Sequence, residues 1–170
     1  MNAESVRREA SASRTRVKIC GITNAHDAAL AVDAGADALG FIFVEGTPRF
    51  VTPTFAGAII RELPPFVSAV GVFWDHPPGH VKAVAEACGL SALQFHGVEP
   101  PEILASYSLP VIKTIKVGGE PGLDRVHSYD VAALLLDSAA RWSEGETRQP
   151  IAWAAAADVA RRRRVILSAD

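Results

Sequence analysis

Cys20, Arg49, Gln94, His96 and Asp137, side chains able to move a proton or hold an anion, stand at or just after the ends of apolar runs in this 170-residue chain. In "RVKICGIT" (16–23), Lys18 and Cys20 are two apart, so on an extended strand they share a face. An ammonium near a thiol favours the thiolate, the form that takes up a proton. "LQFHG" places Gln94 and His96 on one face in the same way, and in "VAALLLD" Leu135 shares a face with Asp137. Each of these residues also has a simpler reading. A free cysteine in a strand is commonly a small buried hydrophobe, and an aspartate after a strand is a common helix N-cap. His96 reads equally as a hydrogen-bonded core histidine, and Arg49 as a solvated loop cation beside Glu45.

The elements that must position these groups recur every twenty to thirty residues or so. Short apolar runs read as strands: "RVKICGI", "ADALGFIF", "VSAVGVF", "SALQFHG", "PVIKTIKV", "VAALLLD" and "RVILSA". Their near-continuous apolarity suits parallel strands covered on both faces. Between the first two, Asn24 with Asp27 predicts a helix start, 28–34 propagates it, and Gly35 takes the left-handed closing position. Helices are also predicted over 53–63, 78–87 with Gly89 after it, 100–107 and 152–162, with one or two turns over 124–129. Seven βα-type strands allow an open doubly wound sheet or a (β/α)8 barrel. An open sheet gathers ligand-binding groups at one switch point, whereas a barrel collects them from many strand ends around one mouth. Polar residues at the ends of the first, fourth, fifth and sixth strands, with Arg49 after the second, favour the barrel.

Composition limits the function classes. The net charge is −2 and 49% of residues are apolar, which fits one soluble domain and gives no electrostatic sign of nucleic-acid binding. The two cysteines, Cys20 and Cys88, lie far apart, as in a reducing, cytoplasmic compartment. No apolar run approaches the roughly eighteen residues of a membrane span. Residues 1–15 are polar and small, carry two glutamates, and read as a disordered lead before a single domain over 16–170. Cys88 reads as core, the arginines at 161–164 as solvated cations closing the last helix, and Lys113 and Lys116 as pointing to opposite faces.

"VKICGIT", "DALGFIF" leading into "TPRFVTP", "VGVF", "LQFHG", "VIKTIKV" and "LLLDS" together, in this order and spacing from about residue 16 onward, resemble phosphoribosylanthranilate isomerase of tryptophan biosynthesis. The resemblance implies a single-domain (β/α)8 TIM barrel that converts N-(5-phosphoribosyl)anthranilate to 1-(2-carboxyphenylamino)-1-deoxyribulose 5-phosphate by an Amadori rearrangement. It implies no metal and no organic cofactor, and a small phosphosugar substrate rather than a nucleic acid or membrane. By the same resemblance Cys20 is the general base at the sugar C2, Asp137 the general acid at the ring oxygen, and Arg49 the anthranilate-carboxylate ligand. Gln94 and His96 match the polar pair of the fourth strand, on the substrate side. A related phosphosugar barrel, indole-3-glycerol-phosphate synthase, would place lysine and glutamates where this chain has Cys20 and Gln94.

Two departures from the family pattern shape the expectation. After Asp137 the family carries a Gly-rich loop, whereas "SAARWSEGETRQPIAW" keeps Gly145, Thr147 and Trp153 but few glycines. The chain then ends at "RVILSAD", so about seven βα units are expected, with the eighth strand and the phosphate-binding loops missing. Such a sheet would leave its first and seventh strands as edges able to self-associate. The alternative to an isomerase is therefore a non-catalytic remnant or assembly module that needs a complementing C-terminal segment.

Overall fold

The computed structural model describes residues 14–117, 123–138 and 153–168. Strands and helices alternate: β1 (Lys18–Cys20), α1 (Ala25–Asp33), β2 (Ala38–Ile42), α2 (Pro53–Arg61), β3 (Ser68–Phe73), α3 (Pro78–Cys88), β4 (Ala92–Phe95), α4 (Pro101–Leu104), β5 (Val111–Val117), β6 (Ala133–Ser138), α5 (Trp153–Ala160) and β7 (Val165–Leu167). A single 3-10 turn covers Leu123–Arg125. The strands form one sheet in chain order, each parallel to its neighbours. Among the described residues β1 and β7 do not pair with each other, so the arc of a barrel stays open.

Strand alternation divides the apolar residues between two cores. Val70, Ile112 and Leu135, with Ala38, Ala92, Ala133 and Ile166 packed against them, make the inner face. Leu39, Phe41, Phe73, Phe95, Ile115, Leu134 and Leu136 point outward into a larger core shared with the helices, which contribute Val81, Val84, Ala156 and Val159. Because the strands are parallel, all their C-terminal ends open on the same side, and every candidate site residue lies there.

The predicted helix signals operate as local chemistry. Asn24 Oδ1 accepts the Asp27 amide at 2.9 Å, and Asn24 Nδ2 donates to the Asp27 carboxylate at 2.8 Å, so two polar groups close the start of α1. Gly35 follows its end at φ +90°, a conformation that costs glycine little. Just before β2, Asp37 accepts the amide of Val17, upstream of β1, at 2.9 Å and both guanidinium nitrogens of Arg14. The Val17 amide first, then Arg14, holds the Asp37 carboxyl below the usual aspartate value.

Several boundaries differ from expectation. Arg14, assigned to the lead, is joined to the domain through Asp37, and residues 1–13 lie outside the described residues. The helix expected over 100–107 stops at Leu104, and Tyr107 packs against Phe95 with ring centroids 5.1 Å apart, tilted by 33°. The arginines at 161–164 are not all solvated: Arg163 donates to the Val126 and Tyr129 carbonyls at 3.0 and 2.7 Å, tying the end of α5 to the turn before β6. Gly145 and Thr147 of the loop after Asp137 lie outside the described residues, and Trp153 is exposed at the start of α5. Cys88 is core, as read, with its thiol donating to the Pro53 carbonyl at 3.3 Å.

Candidate active site

On the β1 wall, Cys20 pairs in register with Gly40 of β2. A Cβ added to Gly40 would stand 2.7 Å from Cys20 Sγ and 3.0 Å from Lys18 Nζ, so thiol and ammonium both lie over the bare backbone of β2. The two distances share one vertex, which brings nitrogen and sulfur within about 6 Å of each other. Gly21 then turns the chain at φ +90°. Its open side is covered by the Arg49 side chain, whose Nε would be 3.1 Å from an added Cβ, and Arg49 Nη1 donates to the Cys20 carbonyl at 3.2 Å. The loop after β2 is thereby anchored at the end of β1, with the guanidinium beside the thiol residue.

The opposite wall is built by β4, β5 and β6. His96 Nε2 lies 3.4 Å from Asp137 Oδ2, with the two side chains 12% and 20% exposed. Such partial burial keeps both reachable from the mouth while strengthening their interaction. Lys116 is the register partner of Asp137 on β5. Its Nζ lies 5.1 Å from the Trp74 ring centroid, and that ring packs against His96 at 5.3 Å, tilted by 31°. Lower on the same face Gln94 is 3% exposed, between Val72 and Ile112 in register. Cys20 and Arg49 thus form one group, and Gln94, His96 and Asp137 another, at the same end of the sheet.

A knot centred on the buried Lys113–Glu99 pair supports the second group. Lys113, fully buried, donates to Glu99 Oε2 at 2.7 Å and to the Gly97 carbonyl at 2.6 Å. Glu99 Oε1 accepts the Asp75 and Gly97 amides at 2.9 and 3.2 Å, while Asp75 Oδ1 accepts the Val98 amide at 2.8 Å. The Asp75 carboxyl occupies the space a Cβ on Gly97 would need, so the loops after β3 and β4 meet directly. Those loops begin with Trp74 and His96. Burial pushes the Lys113 ammonium below the ordinary lysine value, and the Glu99 carboxylate opposes that shift.

Lys113 and Lys116 do point to opposite faces: Lys116 shares the inner face with Asp137, and Lys113 belongs to the outer core. Trp74 and Glu99 escaped the sequence reading. For Trp74 the signal was present, since Val70, Val72 and Trp74 alternate onto the inner face. For Glu99, in a Pro-flanked loop, no local pattern points to burial. Among the described residues no three His, Cys, Asp or Glu side chains converge as metal ligands would. No described helix is long and apolar enough to cross a membrane.

The arrangement agrees with the comparisons to known proteins. The family model for N-(5'phosphoribosyl)anthranilate (PRA) isomerase matches residues 17–168. The N-(5'-phosphoribosyl)anthranilate isomerase of Pelobacter propionicus is 47% identical over 153 residues, covering 90% of this chain and 73% of that protein. The crystal structure of phosphoribosyl anthranilate isomerase from Thermotoga maritima superposes with a TM-score of 0.82 at 38% identity, over 91% of this chain and 77% of that one. A crystal structure of a phosphoribosyl anthranilate isomerase in complex with reduced 1-(o-carboxyphenylamino)-1-deoxyribulose 5-phosphate superposes with a TM-score of 0.78 at 37% identity, over 91% of this chain and 75% of that one. Sequence pattern, strand order and these likenesses agree: the chain belongs to the N-(5'-phosphoribosyl)anthranilate isomerase family.

Proposed function

We propose that this chain isomerises N-(5-phosphoribosyl)anthranilate to 1-(2-carboxyphenylamino)-1-deoxyribulose 5-phosphate, a step of tryptophan biosynthesis in the cytoplasm, with Cys20 as base and Asp137 as acid. The observation that carries the reading is the placement of a thiol on the β1 wall and a carboxyl on the β6 wall at one end of a parallel sheet. The Asp137 carboxyl protonates the furanose ring oxygen as the C1–O bond breaks, and the nitrogen lone pair forms the C1 iminium. That cation acidifies the C2 proton, which the Cys20 thiolate removes. The resulting enol-amine tautomerises to the ketone, the C2 hydroxyl giving up its proton as C1 gains one. Arg49, fixed at the end of β1, presents a guanidinium to the anthranilate carboxylate. His96 steadies Asp137, and Gln94 lines the substrate side below it.

The experiment is fluorescence-monitored turnover. Cys20→Ser and Asp137→Asn are each expected to retain binding of the reduced product and to lose kcat by about 10³-fold or more, because each removes a proton-transfer partner. Arg49→Ala is expected to act mainly on KM. Near-parental kcat in Cys20→Ser would remove the thiol from the mechanism. An Asp137→Asn variant with full kcat and lowered stability would return that residue to a capping role.

The sheet edges support self-association as part of the same reading. Val17, Ile19 and Leu167, at the two edge strands, are each between 42% and 45% exposed, and unpaired edges of this composition recruit further strands.

A further inference from the structure

The peptides that follow Trp74 and His96 are held by one atom. Glu99 Oε1 accepts the Asp75 amide at 2.9 Å and the Gly97 amide at 3.2 Å. The peptides that precede the two residues are fixed as well: the Trp74 amide donates to His76 Nδ1 at 3.2 Å, and the His96 amide to the Phe73 carbonyl at 2.9 Å. With the backbone set on both sides, each side chain is left only its own rotamers, and the two rings pack at 5.3 Å. Among the described residues Asp75 is the one non-glycine at positive φ, +52°. Such a conformation persists where surrounding contacts over-determine it, and it clusters at functional sites. Here the contacts are the Glu99 oxygen on the Asp75 amide and the Asp75 carboxylate on the Val98 amide at 2.8 Å. Glu99 is oriented in turn from β5, since Lys113 donates to its Oε2 at 2.7 Å and to the Gly97 carbonyl at 2.6 Å. Apolar residues in place of a buried ion pair are often as stabilising, so stability alone does not account for this one.

We propose that Glu99 is a positioning residue of the isomerase: one carboxylate oxygen orients Trp74 and His96 together and, through His96, the carboxyl of Asp137. The inference rests on the isomerase reading, in which Asp137 gives its proton to the ring oxygen. His96 Nε2 lies 3.4 Å from Asp137 Oδ2, so a His96 ring that turns takes a partner of the acid with it. Glu99 and Lys113 are buried, and they act without touching substrate. Cys20 and Arg49 stand at the end of β1, outside this network, which directs the effect to turnover rather than to binding. An ångström of misplacement at the acid lowers turnover by about 10²-fold.

Two double variants separate direction from charge. Lys113→Met/Glu99→Gln and Lys113→Met/Glu99→Leu both remove the ion pair, but only the first keeps an oxygen for the two amides. Lys113→Met/Glu99→Leu should lower kcat about 10²-fold, with KM and the affinity for reduced 1-(2-carboxyphenylamino)-1-deoxyribulose 5-phosphate within about 5-fold of the parent. Lys113→Met/Glu99→Gln should recover most of the lost kcat. Added to Asp137→Asn, the Lys113→Met/Glu99→Leu pair should cost little further turnover, because residues that act as a unit are not additive. Equal kcat in the two double variants overturns the proposal. So does an undiminished loss in the Asp137→Asn chain, the pattern of general loosening. Trp74→Leu, at a half-buried position that leaves the ion pair in place, gives a reading independent of the stability of the Glu99 variants. Its kcat should fall about 5–50-fold and Trp74→Phe should restore most of that, whereas parental kcat in Trp74→Leu overturns the proposal. A parent chain that neither turns over nor binds the reduced product sinks the isomerase reading. A parent that turns over beside two equal double variants sinks this inference alone.

Discussion

Gly40→Ala puts the placement of the thiol under direct test. An added Cβ would stand 2.7 Å from Cys20 Sγ, about 1 Å inside the roughly 3.5–4.0 Å at which heavy atoms pack best, and 3.2 Å from Cys20 Cα. The backbone contact yields only if β1 separates from β2, and the register pair Cys20–Gly40 resists that. The sulfur gives way first and rotates off the β2 backbone, and the Lys18 ammonium, 3.0 Å from the same Cβ, must shift as well. Overpacking of this kind costs about 1–3 kcal/mol, which for a domain of this size lowers the melting temperature by roughly 2–12 °C. With Cys20 as the base proposed above, displacing its sulfur by an ångström should lower turnover by about 10²-fold. Two assays read the change: initial rate, and alkylation of Cys20 by iodoacetamide. Cys88 stays silent in the second, since it is 3% exposed and burial raises its thiol above the ordinary value. Gly79→Ala is the control, because nothing lies within 4 Å of the added methyl and its helix gains a better former. Parental turnover and alkylation in Gly40→Ala would show that the sulfur does not rest on β2, and the assignment of the β1 wall would fail.

Lys113→Met leaves Glu99 buried without its cation and should destabilise the chain by about 3–5 kcal/mol in a denaturant titration, whereas Lys113→Met with Glu99→Gln, which removes the charge and keeps an acceptor for the Asp75 and Gly97 amides, should recover part of that. A single variant as stable as the parent would mean that the pair does not hold the loops after β3 and β4. Self-association through the β1 and β7 edges should appear in sedimentation velocity as a concentration-dependent dimer or larger species, and Ile19→Lys should shift it toward monomer. A monomer at all concentrations would show that the edges are covered.

What could be read in the sequence is what depends on neighbours along the chain. The succession of strands and helices, the Asn24–Asp27 cap, the turn at Gly35 and the helix end at Gly89 are local conformational preferences, and each is present. The period of two placed Lys18 with Cys20 and Gln94 with His96 on shared faces before any fold was known. Periodicity does not say which face is the cavity. For Lys113 and Lys116 only the strand register decided that, turning one toward Asp137 and the other toward Glu99. Sequence spacing was equally silent about Trp74 against His96 and Arg163 on the carbonyls of Val126 and Tyr129, contacts across 22, 37 and 34 residues respectively. The physical reason is that cap, turn and face parity are set within a few residues of chain. Whether a buried charge or hydroxyl finds its partner is set by which strands lie side by side, and that order exists only once the sheet has assembled.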